Sequence, residues 1–126
     1  MAGEQFEIRV DDTSSLQAGR HALRRGLEAW GCGNVDDVVL VFSELVTNAA
    51  VHTAAPSRTV ITHESSAVRI SVHDSSHAAP LLRTDGGPGG WGLRIVGSIS
   101  DSFGWEETAV GKTVWSVIGC GHEPAS

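Results

Sequence analysis

The alternation of apolar and polar positions divides the chain into strand-like and helix-like stretches. From Gln5 to Val10, Phe6, Ile8 and Val10 alternate with Glu7 and Arg9, the period of a strand with one buried face. Asp11 to Ser15 is rich in turn and capping residues. Ser14 or Ser15 is suited to cap a helix through Trp30 that presents Leu16, Ala22 or Leu23, Leu27 and Trp30 to a core. Gly31 to Asn34 ends this helix, and Asn34 or Asp36 is placed to cap the next. From Val38 to Thr53, residues Val38, Val39, Phe42, Leu45, Val46 and Ala49 recur at steps of three and four, which predicts a second helix with a core-facing stripe. Pro56 stops it and opens a loop from Ala54 to Arg58.

Thr59 to His63 and Ala67 to His73 return to strand spacing, with Val68, Ile70 and Val72 on one side and Arg69, Ser71 and His73 on the other. Only Glu64 to Ser66 separate them, so an antiparallel hairpin with one wet face is expected. After Asp74 the pattern lapses through Pro80. Leu81 to Gly90 then holds Asp85-Gly86-Gly87-Pro88-Gly89-Gly90, four glycines in six residues, a segment that is mobile or hugs a ligand. Helical spacing resumes from Trp91 to Ser100 through Leu93, Ile95, Val96 and Ile99, which sets a helix N-terminus directly behind the glycines. Ser102 to Trp105 and Thr113 to Ile118 read as closing strands joined through Glu106 to Lys112, with Gly111 in the turn, and the tail from Gly119 is expected to fray. No repeat or linker interrupts the 126 residues, which predicts one domain, 1–126, with a real core.

Composition narrows the function classes. A net charge of −6 disfavours nonspecific nucleic-acid binding, which needs a basic surface. No apolar run is long enough for a membrane span. The polar, acidic start from Met1 to Phe6 lacks the order of a signal peptide, which predicts a cytoplasmic location. Cys32 and Cys120 match no zinc or redox spacing and are expected as free thiols in a reducing compartment. Arg20, His21, Arg24 and Arg25, with Glu28, are expected on a solvated helix face. Trp30, Trp105 and Trp115 are expected to pack on the core.

Three features bear on chemistry. Glu44, Asn48 and His52 recur at steps of four, so a carboxylate, an amide and an imidazole project from one helix; the plain alternative is a solvated face. Glycines that open a helix bring backbone N–H groups and the positive dipole end to an anion. The stretch fits neither the dinucleotide fingerprint nor the phosphate-binding loop, because position 106, where the loop leading to Gly111-Lys112-Thr113 needs glycine, is Glu106. Asp74 ends an apolar strand and, taken alone, reads as a turn-initiating residue.

Taken together and in order, Glu44-Leu45-Val46-Thr47-Asn48-Ala49-Ala50-Val51-His52, Asp74, Gly90-Trp91-Gly92-Leu93 and Gly111-Lys112-Thr113 resemble the GHKL ATPase and kinase superfamily, and within it the bacterial anti-sigma-factor serine kinase branch. The resemblance runs from Phe6 to Ile118. It implies an α+β two-layer sandwich, a mixed, mostly antiparallel sheet covered on one face by about three helices. It also implies ATP and Mg²⁺ as cofactors and a protein-serine/threonine kinase activity. By that resemblance Asn48 is the Mg²⁺ ligand, a hard amide oxygen beside bound waters, and Glu44 is the catalytic base toward a serine or threonine hydroxyl. Asp74 accepts the adenine amino group, while Gly90, Gly92 and Leu93 hold the phosphate side and Thr113 supports the adenine end through Asp74 or a water. Implied partners are a sigma factor, an antagonist protein and a second copy of the chain, with no direct nucleic acid or membrane. His52 fits the branch pattern without a firm chemical role, since a helix-ending histidine also satisfies local carbonyls.

The chain departs from the superfamily pattern Asp-x-Gly-x-Gly at Ser76 and Ala78, and Arg83 is the sole basic residue of the lid from Ala79 to Gly89. Arg94, in the first turn of the glycine-led helix, is a phosphate contact or a solvent-facing arginine. Two expectations follow. Glu44 and Asn48 favour a kinase that sequesters a sigma factor and phosphorylates its antagonist. The replaced glycines favour a module that binds ATP, or has lost it, and regulates a partner without phosphoryl transfer.

Overall fold

A computed structural model of the chain describes residues 4–11, 13–52, 57–64, 66–77 and 90–121, without the side chains of 13, 14, 50–52 and 90–93. The expected lid from Ala79 to Gly89, the loop before Ser57 and the tail beyond Gly121 lie outside them. The elements are β1 (Glu4–Val10), α1 (Thr13–Ala29), α2 (Val35–His52), β2 (Ser57–Glu64), β3 (Ala67–Asp74), α3 (Gly90–Ile99), β4 (Ser102–Thr108) and β5 (Gly111–Gly119). The strands form one sheet in the order β1-β2-β3-β5-β4. Every neighbouring pair is antiparallel, so the sheet is not mixed. The α+β architecture of three helices on an open sheet is as the motifs imply.

The alternation along the strands decides which face is covered. Ile8, Val10, Ile61, Val68, Ile70, Val72, Val114 and Ile118 are all buried and meet the helices. The six predicted stripe residues of α2 are all buried too, with Val41 beside them. A fully enclosed Phe42 in that stripe is worth about 3 to 5 kcal/mol against alanine. Packing on the core lets α2 lie against β2, β3 and β5, while α3 packs chiefly on α2.

Local chemistry ends α1 where the sequence predicts. Gly31 adopts φ 76°, a conformation that costs glycine little. Gly31 N–H donates to Glu28 O at 3.0 Å and Cys32 N–H to Leu27 O at 3.0 Å, the paired bonds of a Schellman cap. At the start of α2, the Asn34 side-chain amide donates to Gly119 O at 2.8 Å and so ties the helix to β5. Asp36 and Asp37 occupy the first turn, where carboxylates complement the helix dipole.

Several expectations change. The loop predicted from Glu106 to Lys112 shrinks to Ala109 and Val110, because β4 is an edge strand that carries its charged residues toward solvent. The basic face of α1 is not wholly solvated: Arg20 donates to Ser43 Oγ at 2.8 Å and Arg24 to Asp36 at 2.7 Å, linking α1 to α2. Trp30 packs against the core as expected, half-buried between Phe6 and the stacked ring of His63 with its indole N–H on Glu4, whereas the other two tryptophans differ. Trp105 is 43% exposed on the edge strand. Trp115 lies on the uncovered face under the Arg69 guanidinium, 4.7 Å from its carbon. Neither joins the core, because strand alternation and an edge position override size. Cys32 and Cys120, 88 residues apart in sequence, are joined in a disulfide with Cα atoms 4.8 Å apart. Spacing alone hid this, since pairing depends on where the two chain ends meet. None of the described helices is long and apolar enough to cross a membrane.

Candidate functional site

Two polar groups of the predicted site are buried with acceptor capacity in hand. Asn48 is 3% exposed, and its Oδ1 makes no hydrogen bond among the described residues. A buried carbonyl oxygen left so is costly unless something else meets it. Glu44, one helical turn earlier, is half-buried. Asn48 thus turns inward beside Leu45 and Ala49, while Glu44 sits at the border of solvent and core, which is where a base must be to reach an incoming hydroxyl.

Asp74 ends β3 with its side chain fully buried. Its Oδ1 accepts the Ser76 N–H at 2.8 Å, so the turn-initiating role is made in full. The carboxylate also meets Lys112, whose ammonium is equally enclosed and stands 3.1 Å from Oδ1 and 3.0 Å from Oδ2. Only the contact with Oδ1 has hydrogen-bond geometry; Oδ2 is held by charge without a directed bond and keeps lone pairs for a further donor. The close approach that makes this possible needs Gly111, where a Cβ would come within 1.9 Å of Asp74 O.

Lys112 is the residue that sequence reasoning missed. The cross-strand register pairs Asp74 with Lys112 and His73 with Thr113, so alternation sends Lys112 toward the helices and Thr113 to the uncovered face. Thr113 Oγ1 lies 2.7 Å from His73 Nδ1. The Thr113 hydroxyl thus meets His73 directly, and the side chain that meets the Asp74 carboxylate is Lys112. The signal was present in the pairing of an acid at one strand end with a lysine directly behind the glycine of the other. A cavity of about 420 Å³ opens at this end of the sheet, lined by Asp74 and Lys112 together with Arg58, His73, Thr108 and Thr113. The His73 imidazole there is held below its usual pKa, first by burial and then by the Arg58 guanidinium, with Glu7 acting the other way.

Chain lengths relate the two buried acceptors. Asn34 is anchored to Gly119, and Ala67 pairs with Gly119. From that common end, Asn48 lies about 21 Å along a helix and Asp74 about 23 Å along a strand. Helix α3 begins at Gly90, so the glycines do open a helix, with Gly92 and Leu93 in its first turn and Arg94 exposed. The side chains of Leu93, Trp91 and His52 lie outside the described set.

The arrangement has a counterpart among known proteins. A family model described as the histidine kinase-like ATPase domain matches residues 4–118. The chain belongs to that family. No curated protein matches it. For a histidine kinase-like ATPase domain, ATP is the implied ligand, and the residues present fit it. The open Oδ1 of Asn48 is a hard neutral oxygen of the kind Mg²⁺ takes beside its waters. The Oδ2 of Asp74, 3.0 Å from the Lys112 ammonium, makes no hydrogen bond among the described residues and keeps lone pairs for an amino group. The N-terminus of α3 offers backbone N–H groups and a favourable dipole for phosphate.

Proposed function

We propose that this histidine kinase-like ATPase domain binds Mg-ATP and transfers the γ-phosphoryl group to a serine or threonine of a partner protein. The observation that carries the reading is Asn48 Oδ1, buried and without a hydrogen bond, one turn from a half-buried Glu44. When bound, Mg²⁺ neutralises phosphate charge and orients the phosphates, which is most of what in-line phosphoryl transfer requires. Asn48 Oδ1 would hold that metal. Glu44 accepts the proton from the attacking hydroxyl, Asp74 accepts a hydrogen bond from the adenine amino group, and Gly90 and Gly92 allow the start of α3 to approach the phosphates. By resemblance, the phosphorylated partner is an antagonist protein, and a sigma factor is the protein sequestered, with the chain acting as a homodimer in the cytoplasm.

The test is incorporation of labelled γ-phosphate from ATP into antagonist proteins drawn from the same genome. Glu44→Gln is expected to retain ATP and to lower incorporation by a factor of about 10² or more. Equal incorporation by the wild type and the variant removes Glu44 from the base role. Two observations favour a second reading, a nucleotide-binding or degenerate interaction module without transfer. Lys112 stands against Asp74, and Ser76 and Ala78 replace the glycines behind it. ATP binding with no transfer to any antagonist is the outcome that selects it.

A further inference from the structure

The far end of the sheet from Asp74 holds a second cluster with its own chemistry. The Cys32 sulfur at the α1–α2 turn, the His63 ring on β2 and the Cys120 sulfur just past β5 converge, with ligand atoms all within 4.8 Å of one another. Cys32 is 7% exposed and Cys120 fully buried, so the sulfurs are enclosed, while His63 is half-buried and Gly33 beside Cys32 is exposed.

The backbone holds these groups together independently of the sulfur–sulfur bond. Gly33 N–H donates to Cys120 O at 2.9 Å, Cys120 N–H to Ser66 O at 2.6 Å, and the Schellman cap fixes Cys32 against Leu27. The Asn34 amide adds its bond to Gly119 O. On the third side, stacking on Trp30 with ring centroids 4.9 Å apart orients the His63 imidazole. Reduction of the disulfide therefore leaves two thiols and an imidazole facing one point.

We propose that the reduced chain binds one thiophilic divalent cation of the zinc type through Cys32, Cys120 and His63. A dithiol reductant supplies two electrons and two protons to the disulfide and is itself oxidised to a disulfide. Binding then releases the two thiol protons, because the metal takes thiolates. Two thiolates, a neutral imidazole and a divalent cation sum to zero charge, which suits an enclosed site better than any partly filled set. Zinc–sulfur and zinc–nitrogen distances of about 2.3 and 2.0 Å need the sulfurs to separate to a span within the present cluster. Water completes four-coordination. The disulfide and the metal are alternative clasps at one junction, one for oxidising and one for reducing conditions, and soft sulfur ligands select zinc over magnesium. This site is independent of the ATP reading.

Anaerobic titration of the reduced chain with Co²⁺ tests the proposal. One equivalent is expected to raise a thiolate-to-cobalt charge-transfer band in the near ultraviolet, displaced by one equivalent of Zn²⁺, while the oxidised chain gives no band. His63→Ala is expected to weaken binding by about tenfold or more. Alkylation needs no variant: one equivalent of Zn²⁺ should shield both thiols of the reduced wild type from iodoacetamide. Absence of the band, unshielded thiols at saturating Zn²⁺, or unchanged affinity in His63→Ala overturns the assignment.

Discussion

At its start β5 sets Lys112 beside Asp74 and encloses both charges, whereas just past its end the same strand leads to Cys120 beside Cys32, with His63 stacked on Trp30 and Phe6 tilted against it. The two junctions close the same sandwich by different means. A buried ion pair recovers little net stability, because desolvation offsets much of the attraction, and an apolar pair of like volume often serves as well or better. A disulfide with aromatic packing stabilises outright by restricting the unfolded chain and burying ring surface. The difference teaches where stability and chemistry are divided: the Cys120 end clamps, and the Asp74 end keeps polar groups inside at a cost that packing alone does not explain.

The largest effect is expected from separating the charges. Lys112→Met leaves the Asp74 carboxylate enclosed without its cation and should cost about 3 to 5 kcal/mol in urea denaturation at neutral pH. Adding Asp74→Leu should recover most of that loss, since the second charge is then gone. A single-variant loss below about 1 kcal/mol would show that water or another group relieves Asp74.

Removing the clamp comes next. In the oxidised, metal-free protein, the double substitution Cys32→Ser and Cys120→Ser should lower stability by about 2 to 4 kcal/mol and leave ATP affinity unchanged. Coupled loss of ATP affinity would break the division between the ends.

The smallest effect belongs to His73, on the uncovered face near Asp74. Its imidazole has a folded-state pKa below the unfolded value of about 6.5, so the unfolded state binds the proton more readily. The stability it contributes is present above that value and is lost as pH falls through the lowered folded-state pKa. His73→Gln should flatten the decline of stability on the acidic side of neutrality, measured by thermal melts across pH. Identical slopes for both proteins would remove His73 as a source of the decline.

Local pattern made most of the fold legible. The stripe of α2, the alternation of β1, β2 and β3 and the glycine at the end of α1 each act within a few residues, so spacing alone exposes them. Glu106 and Glu107 read as loop residues, yet β4 runs through them because an edge strand accepts charge on its exposed side. Glu44, Asn48 and Asp74 were legible as an ordered set, and Asn48 and Asp74 are buried with acceptor atoms to spare. The partner of Asp74 was not, because a shift of one residue in register exchanges Lys112 for Thr113 at the carboxylate. The cysteine pair was hidden for a related reason: it depends on the tertiary meeting of the α1–α2 turn with the end of β5.

The central claim is that the Asp74 end is a Mg-ATP pocket built on Asn48. Isothermal calorimetry of the chain with ATP, with and without Mg²⁺, tests it most directly. Mg²⁺-dependent binding is expected, which Asn48→Ala makes insensitive to Mg²⁺, Asp74→Asn weakens and Thr113→Val, on the uncovered face, leaves in place. ATP affinity in Asn48→Ala that still rises with Mg²⁺ as in the wild type would contradict it.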